Sequence, residues 1–139
     1  MYIFFKDLTK EQRSAAMGVA IDLAGCKQPT MMQFAMLDEY LSEFANDLDI
    51  SKDEASSFLK EMQENGRLIY ATNILKEVDN KILSILYGDF YRVIKILGSE
   101  NGKKKLNAIY QSEFKFSEDD INLFEEEASL NNDAYFPFI

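Results

Sequence analysis

The chain has no histidine, no tryptophan and a single cysteine among its 139 residues. The missing histidine removes the commonest general base and the commonest transition-metal ligand in proteins. The lone Cys26 cannot form an internal disulfide and is typical of a reducing compartment, so we expect a cytoplasmic protein. Because no imidazole can activate it, we interpret Cys26 as a structural thiol, with a nucleophile as the alternative.

Long apolar runs and positive charge are also scarce. No run approaches the roughly 20 apolar residues of a membrane-spanning helix, and the N-terminal residues lack the basic segment of a secretory signal. Lysine and arginine number 15 against 24 acids, which gives a net charge of −9 and a field that repels phosphate. The basic cluster Lys103-Lys104-Lys105 is too short to reverse this. We therefore expect no nucleic-acid partner and no direct membrane insertion.

The sequence is rich in signals for the ends of helices. Four segments match or approach the capping box, in which a hydroxyl side chain and a residue three positions later satisfy each other's backbone N–H groups. They begin at Thr9, Thr30, Ser51 and Ser117, while Asp79 is a further predicted cap and Gly25 and Asn65-Gly66 are predicted ends. The pattern predicts an all-α fold, a single-domain bundle of about seven helices over residues 1–139.

The second predicted helix shows the apolar spacing most clearly. Its stripe recurs every three or four residues and is expected to face the core. The stripe consists of Phe34, Leu37, Leu41, Phe44 and Leu48, with Tyr40 beside it. In the fifth helix, Gly88 interrupts a similar stripe and predicts a kink or a close helix crossing.

Two parts of the chain resemble each other. Ser51 and its neighbours match Ser117 at a shift of 66 residues, and Gly25 matches Gly98 at a shift of 73. The two shifts differ by seven residues, which corresponds to about two helical turns lost from the sixth helix relative to the second. We therefore predict a pseudo-duplicated helix-turn-helix core, with unit one at about 9–65, unit two at about 79–128, and the fourth helix between them.

Both units contain short motifs at their turns and helix starts: Leu23-Ala24-Gly25, Leu48-Asp49-Ile50-Ser51, Asn101-Gly102 and Phe116-Ser117. These motifs resemble the TerB-like tellurite-resistance domains, a family that includes the N-terminal domains of some membrane-anchored co-chaperones. The resemblance covers roughly residues 9–128 and implies an all-helical, duplicated fold linked to stress responses and membrane-associated complexes. The family has been suggested to bind divalent metal through acidic residues at its turns. Those acids are missing here, so the resemblance implies a shared fold without the metal site.

The acidic residues have simpler interpretations than catalysis or metal binding. The series from Asp47 to Asp53 lacks the glycine and the final glutamate of a calcium loop, and Asp53 suits the first turn of a helix. Asp38, Glu39 and Glu43 lie opposite the apolar stripe, where we expect them to be hydrated. We assign no catalytic, cofactor-binding or metal-binding residue.

Aromatic residues at the two ends of the chain are the remaining candidates. The apolar arms at 1–6 and 134–139 either cover the bundle or dock on a partner or a second copy. The first arm is expected to be a strand or an extended segment. The candidate partner-binding residues are Tyr2, Phe4, Phe5, Tyr135, Phe136 and Phe138.

The leading hypothesis from the sequence is a non-enzymatic protein-interaction or scaffold module of TerB-like type. The first alternative is a divalent-cation-binding stress-response protein. The second alternative is an enzyme that uses carboxylates in a cleft between helices.

Overall fold

The computed structural model describes residues 1–135, and the side chains as far as Asn131. The described residues form seven α-helices and no strand, which confirms the predicted all-α bundle. The helices are α1 (Lys10–Ala24), α2 (Met31–Leu48), α3 (Lys52–Glu64), α4 (Leu68–Leu75), α5 (Asn80–Leu97), α6 (Glu100–Ala108) and α7 (Glu118–Tyr135). No helix among the described residues is long and apolar enough to cross a membrane.

The predicted caps start the helices where expected. Reciprocal capping boxes begin α1 at Thr9, α2 at Thr30 and α3 at Ser51. The Asp79 carboxylate accepts from the N–H of Lys81 at the start of α5, and the Ser117 hydroxyl accepts from the N–H of Asp120 at the start of α7. Each cap satisfies a backbone donor that has no partner inside its helix.

Helices α1 and α5 form the centre of the bundle. Helix α1 packs against α2, α3, α4 and α5, and α5 also packs against α6 and α7. In each half of the chain, the first helix therefore contacts the next two helices: α1 contacts α2 and α3, and α5 contacts α6 and α7. Helix α4 lies between the two halves and does not enter this comparison. A duplicated unit would produce this arrangement, and the duplication itself stays a prediction.

Glycine takes roles that differ from those predicted. Gly88 has no described atom within 4 Å of where a Cβ would lie, so it does not mark a close crossing. The close approach is instead at Gly18 in α1, where a Cβ would lie 2.5 Å from Met62 Sδ of α3. Gly25 ends α1 with φ −86°, in the right-handed region, whereas Gly98 ends α5 in the left-handed region at φ 64°.

The second unit is shortened differently from the prediction. The Ser99 hydroxyl accepts from the N–H of Gly102 and starts α6 at Glu100, so only Gly98 and Ser99 connect α5 to α6. Asn101-Gly102 therefore lies inside a helix instead of at a turn. Helix α6 has 9 residues and a π-helical turn of 5 residues extends it, against 18 in α2. With its extension, α6 is therefore about one turn shorter than α2. The rest of the difference between the two units comes from the connection before it, which is shorter between α5 and α6 than between α1 and α2.

The N-terminal arm forms a short 3₁₀ turn over Ile3–Phe5 instead of a strand. Its backbone is tied to α2, since the N–H of Tyr2 donates to the carbonyl of Asp47 at 2.9 Å. Phe5 is fully buried and its ring meets Phe44 edge to face. This burial anchors the arm on the bundle.

Candidate interaction surface

A groove lies between α2 and α3. Both helices pack on α1, but they scarcely contact each other beyond the short connection that joins them. Asp49 ends α2 in the left-handed conformation, with φ 55°, and Ile50 is buried directly after it. This turn keeps α2 and α3 apart, and Ile21 of α1 stays half-buried between them.

The groove has an apolar interior and a polar rim, and its volume is about 430 Å³. Met17 and Ile21 of α1 form its floor. The apolar wall residues are Leu41 and Ala45 of α2 and Ala55 and Leu59 of α3, and the rim residues are Asp38, Ser42, Asn46, Ser51, Lys52 and Ser56. The four wall residues are only partly buried, so their apolar surface is available to a ligand.

Phe34 lies beyond the end of the groove, toward the start of α2. The prediction that Phe34 lies in the buried stripe is wrong, because 63% of the residue is exposed. Positions seven apart share one side of a helix, so Phe34 lies on the flank of Leu41, which faces the groove. Gln33 explains the orientation: its side-chain amide donates to the carbonyl of Leu97 in α5 and turns the next residue outward.

Met31 enlarges the exposed apolar surface beside Phe34. It is 92% exposed and lies three positions before Phe34, on a neighbouring side of α2. Met32 is 75% exposed but lies two positions before Phe34, so it faces the opposite side of the helix. Flexible methionine side chains are common at surfaces that bind several partners. We call Met31, Phe34 and the groove walls together the α2–α3 surface.

The structure separates the aromatic residues that the sequence grouped as partner-binding. Phe5 belongs to the core and cannot meet a partner, which corrects that assignment. Tyr2 and Phe4 remain 41% and 43% exposed, and their rings contact each other edge to face. The side chain of Tyr135 and residues Phe136 and Phe138 lie outside the described part of the chain.

A second cleft, of about 280 Å³, lies on the other side of α2 and holds an acid that the sequence analysis missed. Asp89 of α5 accepts a hydrogen bond from the Tyr40 hydroxyl at 2.9 Å, and the Arg92 guanidinium lies 4.9 Å from the centre of the Tyr40 ring. Burial raises the pKa of the Asp89 carboxyl to about 6, against the smaller opposing effects of Tyr40 and Arg92. The helical pattern placed Asp89 beside Phe90 but did not show that α2 would cover it.

A third cleft, of about 430 Å³, surrounds the only cysteine. Lys105 pairs with Asp22 at 2.9 Å, and the Cys26 thiol lies 3.8 Å from the Asp22 carbonyl oxygen. Burial raises the pKa of the Cys26 thiol, which disfavours the reactive thiolate at neutral pH. Lys105 is thus paired with an acid of the same chain, and Lys103 is likewise paired with Glu125.

The carboxylates show no convergent arrangement. Across the described residues, no group of three or more cysteine, aspartate or glutamate side chains is placed to hold a metal ion. Asp38, Glu39 and Glu43 are exposed on α2, as predicted. Glu54 is engaged in the capping box of α3 and in an ion pair with Lys10 at 3.0 Å.

Comparisons with protein-family models, with curated proteins and with solved structures give no significant match to this chain.

Proposed function

We propose that this protein is a non-enzymatic interaction module, of TerB-like type, that binds a protein partner through the α2–α3 surface. The observation that carries the proposal is the exposed apolar flank of α2 at Phe34 and Met31, on the side of the helix that also lines the apolar groove. Large apolar residues that are exposed together on one side of a protein mark sites of association. The proposal places the module in the cytoplasm, where Cys26 stays reduced.

The chemistry of the clefts supports a binding role over catalysis. Burial disfavours the thiolate of Cys26, and the chain contains no histidine to activate it. Asp89 has a perturbed pKa, but its described hydrogen bond joins it to Tyr40 in a structural contact between α5 and α2. Perturbed acids also occur in such structural networks, so Asp89 alone does not define an active site.

Site-specific photocrosslinking tests this proposal. A photoreactive residue at Ser42, on the groove rim, is compared with one at Glu126, which is exposed on α7. We expect a discrete protein adduct from position 42, a much weaker one from position 126, and loss of the first adduct in the Phe34→Ser variant. Equal adduct yields at the two positions would contradict the proposal.

A further inference from the structure

The shape of the α2–α3 surface matches a helix. From Phe34 to Ala45 the exposed flank of α2 spans about three turns, or ~17 Å at 1.5 Å per residue. A groove between two diverging helices, floored by a third, receives the apolar face of an amphipathic helix in a recurring mode of recognition. An extended strand would need an exposed sheet edge, and the described residues contain no strand.

The groove walls change from small to large along their length. Ala45 and Ala55 line the end near the connection between α2 and α3, and Leu41 and Leu59 line it farther along. The small alanines leave room for a large apolar side chain of a partner. Phe34 projects at the open end, where it can pack between side chains of the partner. Anchor residues one and two turns apart on a helix would meet these positions.

The charges around the groove specify the partner further. Helix α2 carries four acids and no basic residue; Asp38 lies on the groove rim, whereas Asp47 lines the second cleft on the other side of the helix. The net charge of −9 repels a second copy of the chain and attracts basic proteins over longer distances. On the opposite rim, Lys52 of α3 is the basic lining residue.

From this shape and charge we propose that the α2–α3 surface binds an amphipathic helix with apolar side chains on one face and lysine or arginine on the flank that faces α2. This inference rests on the proposed function and names the chemistry of the partner. The basic flank would meet Asp38 on the rim, and the apolar face would cover Phe34 and the groove walls.

Three synthetic helical peptides test the inference with the full chain. All carry fluorescein: the first has a leucine stripe flanked by lysine, the second has the same stripe flanked by glutamate, and the third has the composition of the first with the stripe scrambled. Binding is followed by fluorescence anisotropy at about 0.05 M and about 0.3 M salt, where screening lengths differ by more than twofold. We expect the lysine peptide to bind at least ~10-fold more tightly than the other two and to weaken in the higher salt.

Matched variants locate the binding site. Phe34→Ser is compared with Ile69→Ser on α4, because both residues are 63% exposed. Asp38→Lys is compared with Glu126→Lys, a charge change of the same size on the exposed surface of α7. We expect Phe34→Ser and Asp38→Lys each to weaken the lysine peptide by ~5-fold or more, the cost of about 1 kcal/mol, and the two controls to weaken it much less.

Each other outcome overturns a defined part of the reasoning. If lysine and glutamate peptides bind equally and Phe34→Ser weakens both, the groove binds helices but the inference about charge is wrong, while the proposed function stands. If the scrambled peptide binds as tightly as the first, the attraction is non-specific and the inference fails. If sedimentation shows a dimer that Phe34→Ser dissociates, the occupant is a second copy. If no peptide binds and the chain is monomeric, the inference fails, and the crosslinking experiment decides separately whether the proposed function also fails.

Discussion

Replacing Asp89 with asparagine should stabilise the protein at neutral pH. The pKa of this carboxyl rises from an ordinary 3.8 to about 6 in the folded chain, chiefly because burial disfavours its charge. Each unit of pKa change corresponds to about 1.4 kcal/mol, so the charged Asp89 lowers the free energy of unfolding by at most about 3 kcal/mol. Asparagine removes the charge, and its side-chain oxygen can still accept the hydrogen bond from Tyr40.

The direction of the pH dependence follows from the raised pKa. Below about pH 3, the carboxyl is largely protonated in both the folded and the unfolded chain, so it contributes little. Between about pH 3 and 6, the unfolded chain ionises first, and the folded state loses stability relative to it. Above about pH 7 the loss is complete. The advantage of Asp89→Asn over the original chain should therefore grow from near zero at pH 3 to about 1–3 kcal/mol at pH 7.5.

Urea denaturation at a series of pH values measures this difference. The difference between variant and original chain is the informative quantity, because the lowered pKa values of Glu54 and Glu113 make their own contributions rise with pH. Glu43→Gln, at an exposed position on the same helix as Tyr40, serves as the control and should change stability by less than about 0.5 kcal/mol. An Asp89→Asn variant that is no more stable at pH 7.5, or whose advantage does not depend on pH, would refute the argument from burial.

Three further predictions follow from burial, backbone geometry and the aromatic ends. Phe44→Ala should lower the free energy of unfolding by about 3–5 kcal/mol, because Phe44 is fully buried, whereas Phe34→Ala should lower it by less than about 1 kcal/mol in urea denaturation. Gly88→Ala should raise the melting temperature, since alanine favours a helix by about 1 kcal/mol relative to glycine and no described atom blocks its Cβ. Gly18→Ala should raise the melting temperature less or lower it, because its Cβ would meet Met62 and Phe58. If the C-terminal aromatic residues mediate self-association, replacing Tyr135, Phe136 and Phe138 together with serine should reduce the sedimentation coefficient of the full chain; identical monomers would reject that role.

The helices could be predicted because their signals are local. A capping box needs only a hydroxyl side chain and a glutamine or glutamate three positions later, and Thr9, Thr30 and Ser51 all supply one. The start of α6 was missed because Ser99 caps it without a reciprocal partner, and the glycine three residues on resembled a loop signal. Gly18 was missed because its use depends on α3 crossing α1, which no local pattern encodes.

The interaction surface could not be predicted because it depends on which helices fail to touch. The spacing of Phe34, Leu41 and Ala45 is that of a helix flank, and the sequence does not say that α3 diverges from α2. Phe34 therefore looked like a core residue on periodicity alone. Asp89 was missed because the sequence does not show that α2 packs over this part of α5. Its hydrogen bond with Tyr40 joins residues 49 positions apart in the chain.

Exposed Phe34 and half-buried Asp89 are both departures from the pattern of the rest of the chain, and they differ in what they predict. Burying a phenylalanine yields about 1.5–3 kcal/mol, so a partner that covers Phe34 and Met31 would recover about 3–6 kcal/mol. Association itself costs at least about 4 kcal/mol, and more when side chains become ordered. These two residues alone therefore support only weak binding, because a micromolar dissociation constant needs a net gain of about 8 kcal/mol. The groove walls and charge pairs with Asp38 are the further contacts that the structure offers. The salt dependence of affinity therefore measures how much of the binding energy lies outside the apolar groove.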